Sequence, residues 1–325
     1  MAEPAPRVPG LPTTAPLSLG AADVGNLYSA MTDAQAGAVL QAAWDHGLRH
    51  VDTAPHYGLG LSERRLGRFL AGRPRGGYTV STKVGRLLRP TPERAGQLDT
   101  AHDFVVPSDH ERVWDFGADG VRRSLEGSLE RLGLDRVDVV YLHDPEEDDL
   151  APALATGLPA LAALRQEGLL DAVGVGSKST AALLAAARTG AVDLLMVAGR
   201  YTLAEQPALA ELLPLCRATG VGVVVASVFN TGLLAEPRPR AAGRYDYAVV
   251  DDATLARVRR IAAVCAELDV ELPQAALAYP LREPSVRTVV VGAATPEQVR
   301  QNAERMARPV PEELWHRLRD QGLVP

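Results

Sequence analysis

The sequence predicts a (β/α)8 barrel. Three observations carry this: eight short apolar or β-branched runs recur, each is followed by a longer segment of helical spacing, and no linker-like stretch divides the 325 residues. A doubly wound open sheet is the competing architecture. The chain is therefore expected to form a single barrel domain over residues 1–325, preceded by a flexible Pro-rich lead-in over 1–16.

The first strand is expected near "LSLGAADVG" (17–25). It is followed by "RHVDT" (49–53), "YTVSTK" (78–83), "VDVVYLH" (137–143), "AVGVG" (172–176), "DLLMVAG" (193–199), "GVVVAS" (222–227) and "RTVVVG" (287–292). Helices fill the intervals. Val121, Leu125, Leu129 and Leu132 make one apolar stripe, and "AALLAAARTG" stops on Gly190. Thr295, Pro296 and Gln298 combine a cap, a proline at the first helical position and a capping-box glutamine. Long segments follow Lys83 and Ser227. Both leave the C-terminal ends of strands, the face where barrels keep their sites, and the 83–117 segment is expected to be a lid.

Composition narrows the function. The net charge of −6 gives no basic face for nucleic acid. No apolar run has the length of a membrane span, and the N-terminus lacks the apolar stretch of a signal peptide, so a cytoplasmic protein is expected. Cys216 and Cys265 lie in apolar helical patterns and read as buried thiols, with no metal site.

Several motifs fail on inspection. "GLGLSE" (58–63) puts Glu63 where a dinucleotide fingerprint needs its third glycine. "GVGSKST" (174–180) has Ser177 where a phosphate loop needs glycine before its lysine. "HDPEEDD" (143–149) lacks the spacing of a zinc or calcium site, and Glu146–Asp149 reads as a solvated acidic turn.

A different set survives. Asp52 ends the second strand, Tyr57 follows in its loop, Lys83 ends the third strand and His143 the fourth. Singly, Lys83 could be a surface cation and His143 a core histidine. At three successive strand ends they gather a carboxylate, a phenol, an ammonium and an imidazole. An ammonium lowers a phenol's pKa, and a carboxylate keeps the ammonium charged. The set suits acid–base chemistry at a carbonyl or alcohol, with Tyr57 moving the proton. The remaining histidines read as ordinary side chains, with His56, Phe104 and Trp114 as pocket walls.

"DTAPHYGLGLSERRLG", "STKVGR" and "VVYLHDPE" resemble the aldo-keto reductases over nearly the whole chain. Within that family "GNLY", "VAGRYTL", "VFNTGLL" and "YDY" (245–247) resemble the branch of the L-fucose (D-threo-aldose) and pyridoxal 4-dehydrogenases. The resemblance implies an NAD(P)-dependent enzyme with Asp52, Tyr57, Lys83 and His143 as its tetrad. It places nicotinamide near Ser177 and pyrophosphate under Ser227, Phe229, Asn230, Gly232 and Leu233. Adenosine lies against residues 292–302, including Gly292, Gln298 and Asn302. Specificity falls to Tyr28, His56 and Trp114. Gly176-Ser177 and Ala198 depart from the Ser-Asn and Gln that hold the carboxamide in many members.

The family's NADP-preferring members carry cations where this chain has Gly292 and Gln298, so NAD is the expected cofactor and NADP the alternative. The expected partner is a small sugar, alcohol or aldehyde. The competing functions are a pyridoxal 4-dehydrogenase or a biosynthetic ketone reductase on the same scaffold, and a nicotinamide-binding redox sensor, like the potassium-channel β subunits of this fold.

Overall fold

A computed structural model describes residues 16–240, 244–245 and 248–325. Residues 1–15 of the lead-in lie outside the described residues, as do Asp246 and Tyr247 of "YDY". Eight parallel strands close into a barrel: β1 (Leu17–Gly20), β2 (His50–Asp52), β3 (Thr79–Val84), β4 (Val139–His143), β5 (Ala172–Ser177), β6 (Leu194–Ala198), β7 (Gly222–Ala226) and β8 (Val286–Gly292). Each pairs with the next in sequence, and β8 closes on β1 with Gly20 beside Gly292. All eight lie on the expected runs. β1 is shorter than its run because the chain leaves the sheet after Gly20 for a 3-10 turn at Asp23–Gly25.

Ten helices are described: α1 (Asp33–Asp45), α2 (Leu61–Leu70), α3 (Ala118–Leu132), α4 (Leu150–Gln166), α5 (Thr180–Arg188), α6 (Leu212–Thr219), α7 (Asp252–Glu267), α8 (Leu272–Ala278), α9 (Pro296–Ala307) and α10 (Glu312–Asp320). None is long and apolar enough to cross a membrane. Strand alternation makes two cores. On β4, Val140 and Leu142 face the helices, while Val139 and Tyr141 pack inside the barrel with Ala172, Leu194, Met196, Val224 and Val290. The β1–β3 side of the interior holds buried Ser18, His50, Asp52, Ser81 and Lys83 instead. Cys216 and Cys265 are buried free thiols, as expected.

The segment after Lys83 is an antiparallel hairpin, Arg86–Pro90 against His110–Trp114. Arg112 ties it down, donating to Asp99 at 2.6 and 2.9 Å and to the His56 carbonyl at 2.9 Å. Glu63 explains the broken dinucleotide motif. It is fully buried and accepts from Thr82 at 2.8 Å and from Arg131 at 2.6 Å, joining α2 to β3 and α3.

Helices α2 and α3 cross so closely that a Cβ on Gly67 would stand 2.4 Å from the Leu132 carbonyl oxygen. Gly67→Ala is expected to cost about 1–3 kcal/mol, since overpacking must push the helices apart. Urea unfolding checks this; an unchanged midpoint refutes the contact.

Candidate active site

β2, its following loop and β3 bring the first three groups together. Lys83 Nζ lies 2.6 Å from Asp52 Oδ2, 3.0 Å from the Thr53 carbonyl and 3.1 Å from the Tyr57 hydroxyl. An ammonium has three N–H donors, and these contacts use all three. The Tyr57 oxygen is therefore an acceptor from Lys83, and its own proton is left for another partner. The Tyr57 loop packs backbone to backbone on the β1 loop. A Cβ on Gly58, which has φ +60°, would lie 2.1 Å from the Gly25 carbonyl oxygen, so Gly58 and Gly25 fix where Tyr57 sits.

His143 ends β4 and completes the group. Its ring centroid is 6.3 Å from that of Tyr57 and 5.6 Å from that of His56. His56 stands in the wall of this space: its ring meets those of Tyr57, His102, Phe104 and His143. The hairpin roofs this cluster. Arg86 reaches His56 Nδ1 at 3.3 Å, pairs with Asp144 and lies 4.4 Å from the Trp114 ring. Trp114 thus faces the site through Arg86, and Phe104 walls Tyr57 with centroids 6.2 Å apart. Tyr28 sits on the β1 loop, 40% exposed, with its amide bonded to the Asp103 carbonyl at 2.7 Å.

The electrostatics correct one expectation. Burial lifts the Tyr57 hydroxyl above its usual pKa, and the lowering by Lys83 only partly offsets this, because Asp52 acts with burial. Burial also pulls on Lys83, but Asp52 and Tyr57 outweigh it and hold the ammonium above its ordinary range. His143 lies well below the usual imidazole value, through burial first and then Arg86 and Lys83, so it is neutral at pH 7. Burial pushes Asp144 up to about 6 against the pull of Arg86.

Of the residues assigned to a dinucleotide, Ser177, Ser227 and Gly292 lie at or just after the C-terminal ends of β5, β7 and β8. Ser177 ends β5 and donates to Glu146, whose Oε2 is buried without a protein partner. Glu146 is therefore a pinned inward group rather than part of a solvated turn; Glu147–Asp149 are exposed as expected. Ser227, Asn230, Thr231 and Gly232 all have left-handed φ. This tight turn consumes the amides of Asn230, Gly232 and Leu233 internally. Phe229 and Leu233 pack against the core, and Asn230 Oδ1 is buried without a partner. Gly292 is exposed beside the Asp23 carboxyl, and Asn302 is buried on α9. Thr295 caps α9, but Gln298 Oε1 accepts from the Ala294 amide at 2.7 Å, so the capping box closes one residue early.

Sequence reading missed Arg86, Arg112, Asp144, Glu146 and His50. The period-two spacing of His50 with Asp52 and of Ser81 with Lys83 was the available signal, because it puts all four on the barrel's inner face. Among the described residues, no cluster of His, Cys, Asp or Glu is placed to hold a metal ion.

Comparison with known proteins gives the family and the fold. The family model described as "Aldo/keto reductase family" matches residues 16–321. A D-threo-aldose 1-dehydrogenase from Pseudomonas sp is 54% identical over 99% of this chain and 98% of its own. A pyridoxal 4-dehydrogenase from Microbacterium luteolum is 37% identical over 97% and 96%. The structure of a glycerol dehydrogenase from Gluconobacter oxydans superposes with a TM-score of 0.79 over 98% of this chain and 95% of that one. Its 22% identity makes that a likeness of fold.

Arg86→Met removes a cation that lowers both His143 and Asp144. Both ionisations are expected to rise, most visibly that of His143 in an NMR titration of the histidine rings. An unmoved His143 would exclude Arg86 as a cause.

Proposed function

This chain belongs to the aldo/keto reductase family, and on that premise we propose that it is an NAD-preferring dehydrogenase that oxidises a CH–OH group of a sugar. The observation that carries the chemistry is the Tyr57 hydroxyl, which accepts from a buried Lys83 whose other donors are spent on Asp52 and Thr53. The resemblance to D-threo-aldose 1-dehydrogenase supports the sugar. This reading takes the chain as one barrel domain working in the cytoplasm.

The residues at the mouth fit a nicotinamide dinucleotide. Asn230 Oδ1 and Glu146 Oε2 are buried acceptors without protein partners. Ribose hydroxyls and a carboxamide would supply matching donors, and orphaned buried acceptors are costly to leave unpaired. Ser177, Asn230 and the Gly292–Asn302 segment would hold the cofactor. When bound, the nicotinamide would supply the hydride acceptor for the alcohol carbon.

The chain's own residues handle the proton. The substrate hydroxyl donates to Tyr57, whose oxygen takes the proton as the alcohol carbon becomes a carbonyl. Neutral His143 hydrogen-bonds the same substrate oxygen and fixes its direction. Lys83 stabilises the phenolate form of Tyr57, and Asp52 keeps Lys83 charged. The hairpin with Phe104 and Trp114 acts as a lid over the substrate. Because Tyr57 sits above its usual pKa, the phenolate is scarce at neutral pH, and oxidation should quicken as pH rises.

Tyr57→Phe is expected to lower turnover by about 10²–10⁴-fold while leaving NAD binding intact by fluorescence titration. Activity within a few-fold of wild type removes Tyr57 from the chemistry. Lys83→Met should move the rising limb of the pH–rate profile further upward, since the phenolate loses its cation.

Cofactor preference rests on the two aligned positions, 292 and 298, neither of which carries a cation. Gly292 has no side chain, Gln298 is neutral, Arg300 is held by Glu297 and Glu304 at 2.5 Å each, and Arg240 pairs with Glu236 at 2.7 Å. Asp23 adds a carboxyl beside Gly292. At positions 292 and 298 themselves a 2′-phosphate would meet no cationic donor. With a panel of sugars and pyridoxal, kcat/KM is expected to be higher with NAD⁺ than with NADP⁺; the reverse order overturns the assignment.

A further inference from the structure

A line of hydrogen bonds continues from the Lys83–Asp52 pair through the barrel interior to β8. Ser81 Oγ lies 2.7 Å from Asp52 Oδ1, His50 Nε2 lies 3.0 Å from Ser81 Oγ, Ser18 Oγ lies 2.9 Å from His50 Nδ1, and Thr288 Oγ1 lies 2.7 Å from Ser18 Oγ. Ser18, His50 and Ser81 are fully buried, and their side chains bond to one another and to Asp52 and Thr288 at the ends of the line.

The Asp52 charge and a neutral His50 ring together fix every direction in this line. A carboxylate only accepts, so the Ser81 hydroxyl donates to Asp52. Its single proton is then spent, and its oxygen must accept from His50 Nε2–H. Burial drives the His50 pKa down to about 4, so the ring is neutral and carries one ring proton. Nδ1 is therefore an acceptor, which makes Ser18 its donor and Thr288 the donor to Ser18. Four donors in series point at Asp52.

We propose that His50 is a positioning residue of the reaction, whose Nε2–H tautomer locks the Ser81 hydroxyl onto Asp52 and so leaves more of the Lys83 charge for Tyr57. The proposal rests on Tyr57 being the proton acceptor. Without the Ser81 donor, the less compensated Asp52 would pull harder on Lys83 and repel the Tyr57 phenolate more. Both effects raise the ionisation of Tyr57. The surrounding groups are accounted for. Lys83 and Ser81 of β3, His50 of β2 and Tyr141 of β4, whose ionisation burial and then Asp52 raise, are the groups around Asp52. His143, His56, Arg86, Arg112 and Asp144 cluster around Tyr57 from β4, its own loop and the hairpin.

Two measurements test this separately. In ¹⁵N NMR of the full-length chain, His50 is expected as the neutral Nε2–H tautomer at pH 6; an Nδ1–H tautomer or a cationic ring overturns the proposal. In oxidation kinetics, Ser81→Ala and His50→Leu should move the activity-linked ionisation upward by about one unit, hence about tenfold lower kcat/KM on the rising limb. NAD⁺ affinity by fluorescence titration should hold. His50→Gln, which keeps an N–H donor for Ser81, should retain the wild-type profile. Superimposable profiles for wild type and Ser81→Ala overturn the proposal, and that variant decides even if His50→Leu does not fold. Undiminished turnover in Tyr57→Phe would instead remove the base assignment, whatever tautomer His50 shows.

Discussion

Taking an ammonium and a carboxylate out of water costs several kcal/mol per ion, and their attraction repays this only when further hydrogen bonds satisfy both. Lys83 and Asp52 are 2% and 3% exposed and lie 2.6 Å apart, so the surrounding structure has to meet that condition. Thr53 and Tyr57 take the remaining Lys83 donors, and Ser81 supplies a donor to Asp52. The interior is polar along β1–β3 for this reason, while β4–β8 fill their share with Val139, Tyr141, Leu194, Met196, Val224 and Val290. A pair held this rigidly can act on a phenol without moving.

The surroundings of that pair divide positive charge into two layers. Lys83 lies inside the barrel, and Arg86 and Arg112 descend from the hairpin, each anchored by an aspartate. His143 and His56 lie between these cations and stay neutral, because burial and the positive charges above and below all oppose a further proton. A neutral imidazole can direct a substrate oxygen without competing with Tyr57 for the proton. The roof therefore shapes the electrostatics of the site.

Backbone contacts give the geometry its precision. Gly25 and Gly58 let two loops touch without side chains between them, which sets the height of Tyr57 above Lys83. Gly174 makes room for the Tyr141 ring, which a Cβ there would approach within 2.5 Å. The Glu63 bridge to Thr82 and Arg131 secures α2, the helix that follows the Tyr57 loop. Small residues and one buried carboxylate thus stiffen the loop that carries the phenol.

Eight strands, the helical intervals between them and the convergence of Asp52, Tyr57, Lys83 and His143 are legible in the sequence. These follow from local periodicity and from the rule that barrel strands deliver their ends to one face. The sequence also carried the family motifs. Tertiary structure alone decided that Glu146 turns inward to Ser177, that Arg86 reaches back over His56 and Asp144, and that Gln298 caps Ala294. It decided too that burial outweighs Lys83 in setting the Tyr57 ionisation. Each of these depends on how deeply a group is buried and on which distant side chain folds against it. A one-dimensional pattern records neither, since desolvation and long-range pairing exist only once the chain has closed around them.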